Sequence, residues 1–187
     1  MRKIFAFIAV SADGYHAGPN QELDWQDFDE EFDAFSREQL AEVDTLLFGR
    51  VTYEEMVAYW PTRQGDDGIG DTMNGIAKIV VSRTLETADW TNTRLINTGV
   101  QDELTALKRR PGKDIAILGS STLTAGLLPT GLIDELRLLV NPIVLGNGRP
   151  VLKGASHRTR LELTKTRPFK SGGILLHYRP HATPPAP

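Results

Sequence analysis

The chain has 187 residues, 40% of them hydrophobic and 24% charged, with no cysteine and a formal net charge of -3. One domain of that length buries roughly two thirds of its unfolded surface without metals or cross-links, and the missing cysteine excludes disulfides, thiolate catalysis and thiolate metal sites. Charge is uneven along the chain: residues 1 to 100 hold 8 basic and 18 acidic side chains, residues 101 to 187 hold 13 basic and 6 acidic, a balance of -10 against +7.

A basic half can indicate nucleic acid, but that function interleaves exposed aromatic residues with the cations, and this half lacks them. No nucleic-acid partner is expected. Attraction between acidic and basic faces of two copies is a second reading of the asymmetry. Met1-Arg2-Lys3 precedes an apolar run, Ile4 to Val10, that is shorter than a secretory core, and no later stretch approaches a membrane-spanning length. No membrane partner is expected, and the cytoplasm is the expected location.

In chain order, Ile4 to Val10 reads as a strand, and Asp27 to Glu42 has helical spacing with Asp27 placed to cap it. Thr45 to Phe48 reads as a buried strand, after which Gly49 lets the backbone turn. Thr52 and Glu55 have capping-box spacing, which predicts a helix over Thr52 to Tyr59. Strands follow at Ile76 to Ser82 and Arg94 to Asn97, a helix at Val100 to Arg109, a strand at Ile115 to Leu118 and a helix at Ser121 to Leu128. The last strands, Leu136 to Leu145, Leu161 to Arg167 and Gly173 to Tyr178, succeed one another with no helix between.

Early strands that are apolar on both faces are central and covered, so the pattern predicts an α/β fold in three layers. Its mixed sheet would be mostly parallel with antiparallel carboxyl-terminal strands, flanked by helices. One domain is expected over residues 1 to 179, with residues 180 to 187, rich in proline, as a disordered tail.

Three strand ends carry candidate chemistry. Gly49-Arg50-Val51-Thr52 opens a helix whose first amides lack intrahelical partners and suit a phosphate. Ser82-Arg83 ends the next strand, and Gly119-Ser120-Ser121 ends a third. In an open α/β sheet ligands bind outside the carboxyl ends of parallel strands, so the three ends share one edge. Two helix starts with Arg50 and Arg83 suit a ligand with a pyrophosphate and an additional phosphate, as in NADPH. A solvent-exposed arginine and a serine helix cap are the structural alternatives for Arg83 and Ser121. The usual dinucleotide fingerprint and the P-loop are both missing; Gly146-Asn147-Gly148 precedes Arg149-Pro150 and reads as a turn. No zinc or calcium pattern is present, and no metal is expected.

The ordered set of motifs resembles the dihydrofolate reductase superfamily. It comprises Ser11-x-Asp13-Gly14-Tyr15-x-Ala17, Gly49-Arg50-x-Thr52-Tyr53-Glu54, Ser82-Arg83, Gly119-Ser120-Ser121, Leu132 to Arg137, and Asn141 to Pro150. The closest branch is the reductase domain of the bifunctional riboflavin-biosynthesis deaminase-reductase, over about residues 3 to 178. The resemblance implies a dihydrofolate reductase-like sheet with NADPH along its edge. Gly49, Arg50, Val51 and Thr52 would hold the pyrophosphate and 2'-phosphate side, and Ser82 and Arg83 would border the adenosine. Gly119, Ser120, Ser121, Thr122 and Leu123 would cradle the pyrophosphate and nicotinamide side. Ala9, Gly14, His16 and Ala17 would lie against the nicotinamide and its ribose. Ser120 and Ser121 depart from the doubled or tripled glycine common at that turn.

On the substrate side, folate-reducing members place an acid on the first helix, and counting back from Gly49 puts Asp33 there; a solvated helix carboxylate is the alternative. Asp24, Trp25, Asp27 and Tyr53 are the candidate substrate contacts, with a core tryptophan and a helix cap as alternatives for Trp25 and Asp27. The implied function is NADPH-dependent hydride transfer to a small heterocyclic or ribosylaminopyrimidine-like substrate. Dihydrofolate reduction and non-catalytic NADPH binding are the rivals. Leu136, Leu138 and Val140 alternate on one face of a strand, and a homodimer is expected over it.

Overall fold

The structure, a computed structural model, describes residues 1 to 181 apart from Asp27, Gln64, Asp66 and Asp67. Among the described residues, ten strands and five α-helices follow one another. β1 (Ile4–Ser11) and β2 (Tyr15–Ala17) lead to α1 (Glu30–Glu42), β3 (Val43–Gly49) and α2 (Arg50–Tyr59). α3 (Ile69–Gly75), β4 (Ala77–Val81), β5 (Thr93–Ile96), α4 (Val100–Arg109), β6 (Asp114–Leu118) and α5 (Ser121–Leu127) follow. The chain then runs through β7 (Glu135–Asn141), β8 (Arg149–Pro150), β9 (Leu161–Pro168) and β10 (Ile174–Pro180).

Eight strands form one sheet in the order β5-β4-β3-β6-β1-β7-β10-β9, and β2 pairs with β8 apart from it. β1 is parallel to both β6 and β7, while β10 runs antiparallel to β7 and to β9. The sheet is therefore mixed as the alternation predicts: long crossovers allow parallel pairing early, and the short connection Phe169-Lys170-Ser171-Gly172-Gly173 between β9 and β10 gives an antiparallel hairpin.

Alternate residues of β1 face opposite layers. Ile4 and Ala6 join Leu104, Leu107, Ile117 and Leu127 on the side of α4 and α5. Phe5 joins Leu40, Phe48, Tyr53, Met73 and Trp90 on the side of α1, α2 and α3, where Ala9 also meets Phe35, Leu139, Phe169 and Leu175. Both faces of the central strands are dry, which explains their near-continuous apolar runs.

Buried cations staple the amino ends of the strands. Lys78 is 1% exposed; its Nζ donates to the carbonyls of Met73, Asn74 and Ile76 at 2.9, 3.1 and 2.7 Å and lies 4.4 Å from the Trp90 ring centroid. These carbonyls belong to the end of α3, so the ammonium caps the helix, while burial pulls its pKa down to about 8. Arg137 lies over the Phe5 ring at 3.7 Å and donates to Glu135 at 2.7 Å, to Glu42 at 2.8 Å and to Gln39 at 3.3 Å. Glu135 also meets His177 Nδ1 at 2.6 Å. Arg137–Glu42 and Arg167–Glu38 join a basic residue of the second half to an acid of the first, so part of the sequence's charge asymmetry is answered within one chain.

Several boundaries differ from expectation. α1 starts at Glu30, not Asp27, because Asp29 is its cap and accepts from the Phe32 amide at 2.8 Å; Asp27 lies outside the described residues. α2 starts at Arg50, two residues before the predicted Thr52, directly from Gly49 with no side-chain cap. Thr52 is buried in the first turn, so it cannot form the capping box expected with Glu55. β7 stops at Asn141, ahead of Pro142, which has no N–H for the ladder. The short α3 and the β2–β8 pair were not predicted, since Ile69–Gly75 holds two glycines and Arg149–Pro150 spans only two residues. Of the expected tail, residues 182 to 187 lie outside the described residues.

Candidate functional site

The carboxyl ends of β3, β4 and β6 lie side by side, as parallel pairing of β3 with both neighbours requires. Two of the predicted turns are in direct contact there. The Gly49 amide donates to Ser120 Oγ at 3.0 Å, and a Cβ on Gly49 would stand 3.6 Å from Leu123 Cβ. Gly119 has φ of 65°, a left-handed conformation that favours glycine, and a Cβ there would stand 3.5 Å from Thr52 Cγ2. Gly49 to Thr52 and Gly119 to Leu123 thus meet at one sheet edge. Ser82 is buried, and its hydroxyl accepts from the amides of Thr84 and Leu85 at 3.2 and 3.0 Å, turning the chain so that Arg83 is exposed at the next strand end.

The serines that replace glycine at the third strand end have structural partners. Ser120 Oγ accepts from Gly49 and lies 3.3 Å from the Leu118 carbonyl. Ser120 also holds the cap position of α5 but makes no side-chain cap bond, and Ser121, the helix's first residue, accepts with its Oγ from the Leu152 amide at 2.7 Å. That contact draws residues 149 to 152 across the edge as a strap. Its other side is held by β2, where Ala17 pairs with Arg149 and the Val151 amide donates to the Gly14 carbonyl at 2.9 Å. Asp13 fixes the base of this loop by accepting from the Leu145 and Gly146 amides at 3.1 and 2.8 Å and from the Ser11 hydroxyl at 2.7 Å. The serine hydroxyl and these amides hold its carboxyl below the usual range, against a smaller opposing effect of desolvation. Gly14, at φ of 85°, and Ala17 are thereby joined to the strap that Ser121 holds from its other side, with His16 between them in the chain. Ala9 is buried on β1 and faces the Phe35 and Phe169 layer.

The edge is cationic and rich in donors. The first amides of α2 lack intrahelical acceptors, and Val51 is 39% exposed beside them. Among the described residues Arg50 pairs with its own helix neighbour, Glu54, with Nη1 3.0 Å from both carboxylate oxygens. Both partners are nearly half exposed, and such a pair gives way readily to a stronger anion. His16 is half-buried, and burial first, then the charge of Arg149, lowers its pKa, so the ring is neutral at pH 7. Glu55 is shifted upward by desolvation, opposed by Arg149 and reinforced by Glu54.

The substrate-side candidates separate. Asp33 is half-buried in the first turn of α1, whose amino end lies by the same sheet edge. Trp25 is half-buried and donates its indole N–H to the Glu22 carbonyl at 3.0 Å, while Asp24 is exposed. Tyr53 is 4% exposed and accepts from the Trp90 amide at 3.1 Å, which makes it a core residue beneath α2 and keeps it from any ligand on the edge. The structure instead adds aromatic residues around Asp33. Phe28 is 59% exposed, with its ring 5.1 Å from Phe32, which in turn lies 6.4 Å from Phe7 of β1. Phe32 and Phe35 lie three apart on α1 and Phe28 just precedes it, so helical spacing could have identified part of this cluster but not the place of Phe28. Arg149 was missed because only the tertiary strap brings it to the edge.

A cleft of about 400 Å³ opens at the opposite, amino edge of the sheet, with Lys78, Arg94 and Arg110 in its wall. Lys78 is engaged by three carbonyls and Arg94 by Glu103 at 2.8 Å, so this cleft does not belong to the site. Among the described residues no group of histidine and carboxylate side chains could hold a metal, and no helix is long and apolar enough to cross a membrane.

The architecture is similar to several solved structures. A protein of Shewanella sp. PV-4 named for riboflavin biosynthesis aligns at a TM-score of 0.74 with 22% identity, over 96% of this chain and 99% of that one. The Thermotoga maritima diaminohydroxyphosphoribosylaminopyrimidine deaminase/5-amino-6-(5-phosphoribosylamino)uracil reductase aligns at 0.71 with 17% identity, over 96% of this chain and 57% of that one. A dihydrofolate reductase from Enterococcus faecalis complexed with NADP(H) aligns at 0.63 with 15% identity, over 95% and 96%. These likenesses show a dihydrofolate reductase-like fold. In sequence, the uncharacterized protein YyaP of Bacillus subtilis (strain 168) is 34% identical over 182 residues, 95% of this chain and 94% of its own. The family model described as RibD C-terminal domain matches residues 2 to 175, from the entry into β1 to β10, and the chain accordingly belongs to that family.

Proposed function

We propose that the chain is an NADPH-dependent reductase acting on a small heterocycle of the ribosylaminopyrimidine type. The observation that carries the reading is the joining of the Gly49–Thr52 and Gly119–Leu123 turns by the Gly49 amide and Ser120 Oγ. One edge then offers free helix amides, small residues and the exposed cations Arg50 and Arg83, a donor set that fits a dinucleotide with three phosphates. Membership of the RibD C-terminal domain family and the fold shared with proteins named as a uracil reductase and a dihydrofolate reductase support the same reading.

When bound, NADPH supplies the hydride. The chain's own residues would orient and neutralise. Arg50 and the first amides of α2 would hold the phosphates at the adenosine side, with Arg83 beside them. The Gly119 turn would hold the pyrophosphate, and the neutral His16 in its loop would cover the nicotinamide side and help to exclude water. Asp33, or a water it holds, would supply the proton to the substrate nitrogen or oxygen. Phe28 and Phe32 offer a wall for a planar ring, and this pairing of aromatic wall and acid keeps dihydrofolate as the second substrate reading.

Titration of tryptophan fluorescence with NADPH tests the cofactor. Saturation below about 100 μM is expected, within the usual range for such ligands; no response would sink the proposal. Arg50→Ala should weaken NADPH about tenfold more than NADH, the loss of one charge-assisted contact to the 2'-phosphate. Equal losses would contradict that role. Binding without turnover across pterins, pyrimidines and carbonyls would leave a nucleotide-binding module.

The same reading includes a homodimer. Cross-strand pairing places Val140 beside Ile174, Leu138 beside Leu176 and Tyr178 beside Leu163 on one sheet face, whose Leu136 end is buried in the chain's own core. Ile174 is 45% and Leu163 52% exposed on it. A second copy covers this face in the proposal, and a monomer mass by light scattering at tens of micromolar would overturn it.

A further inference from the structure

The strap over the carboxyl edge carries a cation to which the cofactor reading assigns no role. Arg149 sits on β8, paired with Ala17, and the backbone on both sides of it is tied down. On one side Gly148 lies so close to β2 that a Cβ there would run into the Ala17 carbonyl oxygen and come within 3.2 Å of Tyr15 Cβ. On the other, Val151 donates to Gly14 at 2.9 Å and Leu152 donates to Ser121 Oγ at 2.7 Å. Leu152 adopts φ of 55° to do so, a conformation that a leucine rarely takes unless its surroundings hold it there. Arg149 is thus fixed between the Gly14–Ala17 loop and the Gly119–Leu123 turn.

Its side chain is exposed, and among the described residues no carboxylate forms an ion pair with it. Its charge nonetheless acts on both walls of the edge, disfavouring the protonated form of His16 on β2 and drawing the Glu55 carboxyl of α2 downward against desolvation. The Gly119-Ser120-Ser121-Thr122-Leu123 turn contains no charged residue of its own. A pyrophosphate lying on that turn needs a counter-charge, and Arg50 and Arg83 stand on α2 and beyond β4, at the side of the additional phosphate.

We propose that Arg149 is a binding residue for the dinucleotide pyrophosphate, supplying from the strap the charge that the Gly119 turn lacks. The assignment rests on the NADPH reading above. It differs from the role of Arg50 in being indifferent to the 2'-phosphate.

The test is a titration of the full chain and of the Arg149→Gln and Arg149→Lys variants with NADPH and with NADH at several NaCl concentrations. Arg149→Gln should weaken both dinucleotides by a similar factor, about tenfold, and flatten the salt dependence, while Arg149→Lys recovers most of the loss. A structural role for the strap would not be rescued by lysine in this way. Affinities within twofold of the unaltered chain, a loss confined to NADPH, or a lysine variant as poor as the glutamine variant would each overturn the assignment while leaving the cofactor reading standing. Failure of the unaltered chain to bind either dinucleotide would sink both.

Discussion

Glu135 sets up a pH dependence that can be worked from the structure. Its carboxylate faces His177 Nδ1 at 2.6 Å and Arg137 Nε at 2.7 Å, and Arg137 spans from it to Glu42 at the end of α1. The hydrogen bond from His177 leads, followed by opposing desolvation and then by the bond and charge of Arg137; together they lower the pKa from 4.5 to about 2. A carboxyl held that far below its unfolded value contributes about 3 kcal/mol at neutral pH. Because the unfolded chain takes up the proton first as pH falls, the contribution is complete above about pH 4.5 and is lost progressively toward pH 2. Glu135→Gln keeps the shape and removes the titration. Urea unfolding of both proteins at pH 7 should show the variant less stable by about 2–3 kcal/mol, and the gap should narrow to about 1 kcal/mol by pH 3 on its way to closing toward pH 2. Other carboxylates titrate alike in both proteins, so the difference isolates this group. A gap that stays constant between pH 7 and pH 3, or none at pH 7, would refute the reasoning.

Two further substitutions probe the staple and the edge. Lys78→Met should destabilise by about 2–4 kcal/mol in the same assay, since it leaves the carbonyls of Met73, Asn74 and Ile76 without their shared donor; a loss under 1 kcal/mol would mean that water or a shifted helix end replaces it. Ser120→Ala removes the acceptor of the Gly49 amide, and should lower stability by about 1 kcal/mol and weaken NADPH about fivefold through loss of register between the two turns. Unchanged affinity would show that the turns keep their geometry without that bond.

The sheet was legible because its signal is local and repeated. Ile4 to Val10, Thr45 to Phe48 and Ile115 to Leu118 are apolar on both faces, and only central, doubly covered strands are built that way. α4 has opposed polar and apolar faces, and Val100 and Arg109 are its observed ends. Strand order, in contrast, depends on which edge each crossover returns to, which no local pattern encodes. The turns at Gly49 and Gly119 could be read from glycine beside small polar residues, but not that Ser120 and Ser121 would face Gly49 and Leu152. Tyr53 illustrates the limit most clearly. It stands three residues after Arg50 in a motif that points to ligand, yet the turn of α2 that exposes Arg50 carries Tyr53 into the core against Trp90.

The position of β1 constrains how the chain can be made. Its neighbours in the sheet are β6 and β7, more than 100 residues later, so Ile4 pairs with Ile115 and Phe5 with Glu135. During synthesis this apolar strand leaves the ribosome more than 100 residues ahead of both its partners. β3, β4 and β5, consecutive both in the chain and in the sheet, can join meanwhile, but β6 and β7 have both to emerge before the middle of the sheet closes. Such late closure of a long loop slows folding and keeps an apolar segment in the open for the time of translation. The shielding of that strand on a nascent chain, and not the stability of the finished sheet, is then the step at which this fold is most exposed to aggregation.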